Sequence, residues 1–114
     1  MSTEKHSTPP ANGKDWHAWL DKMPGKPHTL HVTGALQVGN PGIYAVLQKK
    51  VPQGINPAYD LLDLHLIQKP GIWPQHVVWT QVSYTEVTGG VDFKEVEIFS
   101  NGQPYLKLPV EIIS

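Results

Sequence analysis

The chain has 114 residues, with nine basic side chains against ten acidic ones, a net charge of -1 and no cysteine. That length suits one domain burying roughly 65% of its unfolded surface, and the lack of cysteine excludes disulfides, thiolate metal sites and cysteine nucleophiles. All nine basic residues are lysine; without guanidinium forks, and with near-neutral charge, nucleic acid is a poor partner.

No apolar run approaches the ~18 residues of a membrane span, and the N-terminal stretch MSTEKHSTPPANGKD has no apolar secretory segment. The chain therefore reads as cytoplasmic, with no membrane partner. Residues 1–13 are polar, contain Pro9-Pro10 and lack periodicity, so a flexible tail is expected there and a single β domain over 14–114. Trp16, Trp19, Leu20 and Met23 fall at i, i+3, i+4 and i+7. That stripe predicts a short amphipathic helix over 14–23, capped by Asn12, stopped by Pro24-Gly25 and docked as a lid through its two tryptophans.

Everything after Met23 reads as strand and turn. Leu30, Val32, Leu36 and Val38 share one face of a first strand over 29–38, which Gly39-Asn40-Pro41-Gly42 breaks. A second runs over 43–51 and turns polar at Gln48-Lys49-Lys50. The third, 59–68, carries Leu62, Leu64 and Leu66 in alternation and closes at KPGIWP, residues 69–74. The fourth, 76–85, is apolar on both parities, with Val78, Val82 and Tyr84 in one set and Val77 and Trp79 in the other. In the fifth, Val91 and Phe93 differ in parity from Val96 and Ile98, which predicts a β-bulge near Lys94. Ser100-Asn101-Gly102 starts the last hairpin. A two-residue turn there would set Leu106 opposite Glu97, so a three-residue loop with Gly102 left-handed is expected, pairing Val96 with Leu106. Pro104 and Pro109 cannot donate to a ladder, so the sixth strand should lie at an edge or turn those positions outward.

Six antiparallel strands with short turns predict an all-β fold, a small β-sandwich with an immunoglobulin-like arrangement as one form, and a small β-barrel as the alternative. Asn40-Pro41, Ile72-Trp73-Pro74 and Thr88-Gly89-Gly90 are similar to loop elements of the immunoglobulin-like cysteine-protease inhibitors but stand in a different order, and assign no family.

Six histidines invite a metal reading. His31 and His65 fall on the polar parity of their strands, but no HExxH occurs and His28 and His31 point to opposite strand faces, so neither a metal nor another cofactor is expected. Asp60 and Asp63 likewise point apart, Glu95 and Glu97 read as solvated edge charges, and Ser83 and Ser100 lack a nucleophile elbow. No catalytic residues are assigned.

The leading expectation is a non-catalytic binding or protein-interaction module for a protein or small ligand. With simple antiparallel alternation, the loops at 39–42, 69–74 and 100–102 emerge at one end and gather Asn40, Pro41, Trp73 and Asn101 as the binding residues. The alternatives are a histidine-dependent metalloprotein or hydrolytic enzyme, and a structural homodimer covering Val77 and Trp79.

Overall fold

A computed structural model describes residues 12–114. The expected tail lies outside the described residues except for Asn12 and Gly13. Seven strands follow: β1 (Gly13–Asp21), β2 (Thr29–Val38), β3 (Ile43–Lys49), β4 (Tyr59–Gln68), β5 (Val78–Val87), β6 (Glu95–Ser100) and β7 (Gln103–Ile113). No helix occurs among the described residues.

The expected helix over 14–23 is thus a strand. Trp16, Ala18 and Leu20 alternate as well as Trp16, Trp19 and Leu20 follow a helical stripe, and tertiary pairing decides between the two periods. A ten-residue helix is marginal on its own, whereas β1 is laddered on both sides, to β2 antiparallel and to β7 parallel. Ala18 and Leu20 enter the core while Met23 stays exposed. A register shift between Lys14 and His17, with Asp15 at φ 59°, lets β1 turn Trp16 inward across Gly34.

The strands form one sheet in the order β3-β4-β6-β7-β1-β2-β5 rather than two packed layers, which corrects the sandwich in favour of the barrel. The sheet curls until Cα atoms of its terminal strands, β3 and β5, lie within 8 Å of each other. It is not wholly antiparallel, since β1 pairs with β7 and β4 with β6 in parallel. Inside, Leu20, Leu30, Val32, Leu62, Val96 and Ile98 are fully buried, contributed by β1, β2, β4 and β6. Leu62, which pairs with Ile98, shows how the leucine alternation of β4 lines this interior.

Strand directions bring the connections at 39–42, 69–77 and 101–102 to one end, and those at 22–28, 50–58 and 88–94 to the other. The β-bulge expected near Lys94 is not found: residues 88–94 form a connection, β6 begins at Glu95 and its register shift against β7 lies between Ile98 and Phe99, while the Lys94 and Glu95 amides both donate to the Ala58 carbonyl, at 2.7 and 3.4 Å. Phe93 is buried there, but Val91 is exposed.

The final hairpin differs from expectation in its turn. Ser100 pairs with Gln103 across a two-residue Asn101-Gly102 turn, both residues having positive φ, and the register shifts between Ile98 and Phe99. Ile98 then meets Leu106 and Val96 meets Leu108. The extra residue falls beside Pro104, where no backbone donor is lost, so a compact turn and a matched core coexist. β7 is central, not an edge, and Pro104 and Pro109 face outward.

Candidate functional site

The discontinuity in the barrel wall is the seam between β3 and β5. Among the described residues no backbone hydrogen bond joins these strands, although they run side by side in the same direction. β5 pairs with β2 over ten residues without a register shift, leaving its other edge without a ladder. Natural edges are commonly blunted by proline, charge or bulges. β5 has none of these on its outward row of Trp79, Gln81, Ser83, Thr85 and Val87, and the one charge it carries, Glu86, points inward.

At the end of the barrel beside the 50–58 and 88–94 connections, four polar side chains on inward-facing positions span this seam. The Lys49 ammonium donates to Asp60 Oδ1 at 3.0 Å and to Glu86 Oε2 at 2.7 Å, tying β4 and β3 to β5. The Tyr84 hydroxyl donates to Glu86 Oε1 at 2.9 Å. Lys49 Nζ also sits 5.1 Å from the centre of the buried Phe93 ring. Asp60 has no exposed surface, and its Oδ2 has no hydrogen-bond partner among the described residues.

Burial, then the hydrogen bond with Glu86, pushes the Asp60 carboxyl up to about 7, against the pull of Lys49. Burial also opposes charge on Glu86, but hydrogen bonds with Asp60, Lys49 and Tyr84 outweigh it and hold that carboxyl below its ordinary range. Burial opposes charge on Lys49 too, and its hydrogen bonds to Glu86 and Asp60 keep it raised overall. Burial and the neighbouring Glu86 push the Tyr84 hydroxyl up. Below the Asp60 midpoint the favoured state is therefore one proton on the Asp60–Glu86 pair, one carboxylate charge and one ammonium, the proton giving the Asp60 carboxyl a hydrogen to donate toward Glu86. Asp60 has no exposed surface while the barrel is closed, and the contacts of the cluster hold β3, β4 and β5 together.

The opposite end of the seam holds three of the four residues expected to bind. Asn40 accepts from the Gly42 amide at 2.9 Å and donates to Gln68 Oε1 at 2.9 Å, fixing the turn into β3. Pro41 is exposed beside it. The Trp73 indole packs over Gly42, where a Cβ would overlap the ring, and its Nε1 donates to the Lys69 carbonyl at 3.0 Å. Trp73 is half-buried and clasps the 69–77 connection to the foot of β3. Asn101 stands at the foot of β6, with β4 between it and β3. β6 pairs with β4 only as far as Leu64, and beyond that point Leu64, His65, Leu66, Ser100 and Asn101 line a notch of about 270 Å³.

The histidines among the described residues are dispersed. His31 lies on β2 and His65 on β4, which are not neighbours. On the outer face Trp19 is stacked between His17 and His31, with ring centroids 4.9 and 5.1 Å away, and His17 Nε2 lies 2.8 Å from Glu111. Among the described residues no group of three histidines or carboxylates is arranged to hold a metal.

The Lys49, Asp60, Tyr84 and Glu86 set was missed in the sequence, but a signal existed. Asp60 shares its parity with Leu62 and Leu64, Glu86 with Val82 and Tyr84, and Lys49 with Leu47. Opposite charges on the core-facing parity of three strands are what a buried ion pair requires. No protein-family model, curated protein or solved structure matches this chain.

Proposed function

We propose that this domain is a non-catalytic interaction module that takes up an extended segment of a partner protein along the β3–β5 seam. The observation that supports it is the pair of facing strand edges without a shared ladder, one of them ten residues long and free of proline, bulge or outward charge. Once the seam widens to about twice the ~4.8 Å strand spacing, an added strand would satisfy both edges by main-chain hydrogen bonds, with alternate side chains supplying selectivity. Asn40, Pro41 and Trp73 flank one mouth of the seam on a turn braced by Gly42, and Asn101 stands on the same rim. Rigid loops beside an open edge favour binding because little order must be imposed on association.

The test is selection from a displayed library of ten-residue peptides, followed by amide hydrogen exchange on the complex. The expected peptide slows exchange in 43–49 and 78–87, and loses its affinity when alternate backbone amides are N-methylated. Selected peptides that protect neither strand, or that tolerate every N-methylation, would refute strand addition. A second reading, a homodimer, is favoured by Val77 and Trp79, which are 61% and 41% exposed on the outer side of the same edge. A concentration-dependent dimer in sedimentation, dispersed by Trp79→Lys, would support it over peptide uptake.

A further inference from the structure

We propose that Lys49, Asp60, Tyr84 and Glu86 form a proton-operated latch on the β3–β5 seam, closed while one proton bridges the two carboxyls and loosened when that proton leaves. The latch is a property of the free domain; only its effect on ligand uptake rests on the strand addition proposed above.

The location carries the argument. Every other neighbouring pair of strands in the sheet is joined by backbone hydrogen bonds, whereas β3 and β5 share none among the described residues. The contact across that gap with the shortest polar distance is Lys49 to Glu86, 2.7 Å, and Lys49 is itself anchored on the far side by Asp60. The wall at this point is thus held by side-chain charge rather than by a ladder, and side-chain charge responds to protons.

Charge counting then fixes the direction. With the proton present, one ammonium faces one carboxylate and a neutral carboxyl, and every inward group has a partner. Once it is lost, two carboxylates share a single ammonium in a site where Asp60 has no access to water. Among the described residues no other cation compensates: β3 contributes Lys49, β5 contributes Glu86 and Tyr84, the residue of β6 paired with Asp60 is Val96, and the 88–94 connection contributes the Phe93 ring beside Lys49. Uncompensated buried charge is relieved by admitting water. The seam is the part of this wall with no ladder to break, so water enters there.

Amide exchange of the free, full-length protein at about pH 6 and about pH 8, corrected for intrinsic rates, tests the latch. Protection in 44–49 and 80–86 is expected to fall about tenfold over that interval, since the two pH values lie roughly one unit on either side of the Asp60 midpoint. Protection in β1 and β7 should hold. Asp60→Asn keeps a buried donor toward Glu86 without an ionisable proton, and should abolish the pH dependence while leaving the seam protected at both values. Equal protection of the wild-type seam at the two pH values, or an unchanged fall in Asp60→Asn, would overturn the latch. Should that variant fail to fold, carbon-13 NMR titration of the wild-type Asp60 carboxyl decides: a midpoint near neutrality supports the latch, and one in the ordinary carboxylate range refutes it. None of these readouts involves a ligand, so failure of peptide binding and failure of the latch are separately visible.

Discussion

Two glycines owe their place to the space above them. At Gly34 and at Gly42 an added Cβ would collide with the rings of Trp16 and Trp73 respectively, so each indole rests directly on backbone. The Trp16 contact seals the barrel interior from the β1 side, since Trp16 packs against the core cluster. Gly34→Ala is expected to cost about 1–3 kcal/mol, the range for overpacking a filled site, and urea titration should show it as a lowered midpoint with an unchanged slope. A variant as stable as wild type would mean that the indole moves aside freely. The Trp73 contact works differently, because the ring is half-exposed and secures a connection rather than the core. Trp73→Ala removes one hydrogen bond and that clasp, and global stability should fall by roughly 1–2 kcal/mol. Proteolysis within 69–77 should accelerate much more than overall unfolding; equal acceleration would place Trp73 among the core residues.

For β1, the consequence of strand rather than helix is a reordering of side-chain importance. On a helix Trp19 and Leu20 would share the docking face, and losing the larger ring would cost more. On the strand Leu20 is fully buried, while Trp19 stands outside between two imidazoles. Leu20→Ala should therefore cost about 2–5 kcal/mol and Trp19→Ala about 0.5–1.5 kcal/mol, the scale of aromatic stacking. Thermal melts of the two variants check this, and a larger loss for Trp19 would contradict the strand. The segment shows why strands with clean alternation, such as β2 and β4, were legible in the sequence and β1 was not. A bulge at Lys14–His17 and an aromatic on each face make both periods fit, and only the flanking β2 and β7 ladders choose. The hairpin error has a similar origin: local turn preference and core register conflicted, and a bulge next to Pro104 reconciled them. The grouping of Asn40, Pro41 and Trp73 followed from strand alternation and was readable. The link from Lys49 and Asp60, on paired strands, to Glu86 depends on β3 and β5 meeting across a closed sheet, which no local pattern encodes.

Whole-molecule stability should record the shared proton. The carboxyl of Asp60 moves from an ordinary 3.8 when unfolded to about 7 when folded. Between those values the native state holds a proton that the unfolded chain has released, so this contribution is complete below 3.8 and is lost as pH rises toward 7. Glu86 acts in the opposite sense: its folded value lies below 4.5, so its contribution is present above 4.5 and is lost as pH falls through the folded value. Lys49 is held above 10.5, and its contribution disappears only beyond that. The sum is a domain most stable in mild acid. Stability should decline from about pH 4.5 to about pH 7 by up to roughly 1.4 kcal/mol per pH unit, then level off. Many proteins instead gain stability over that interval as paired carboxylates ionise. Urea midpoints collected at half-unit steps would display the slope directly, and Asp60→Asn should flatten it and match or exceed wild type at pH 8, where the wild-type site bears its extra charge. A wild-type midpoint that climbs between pH 4.5 and 7 would show that Asp60 is ionised in the folded barrel, and that Lys49 serves both carboxylates at once without a shared proton.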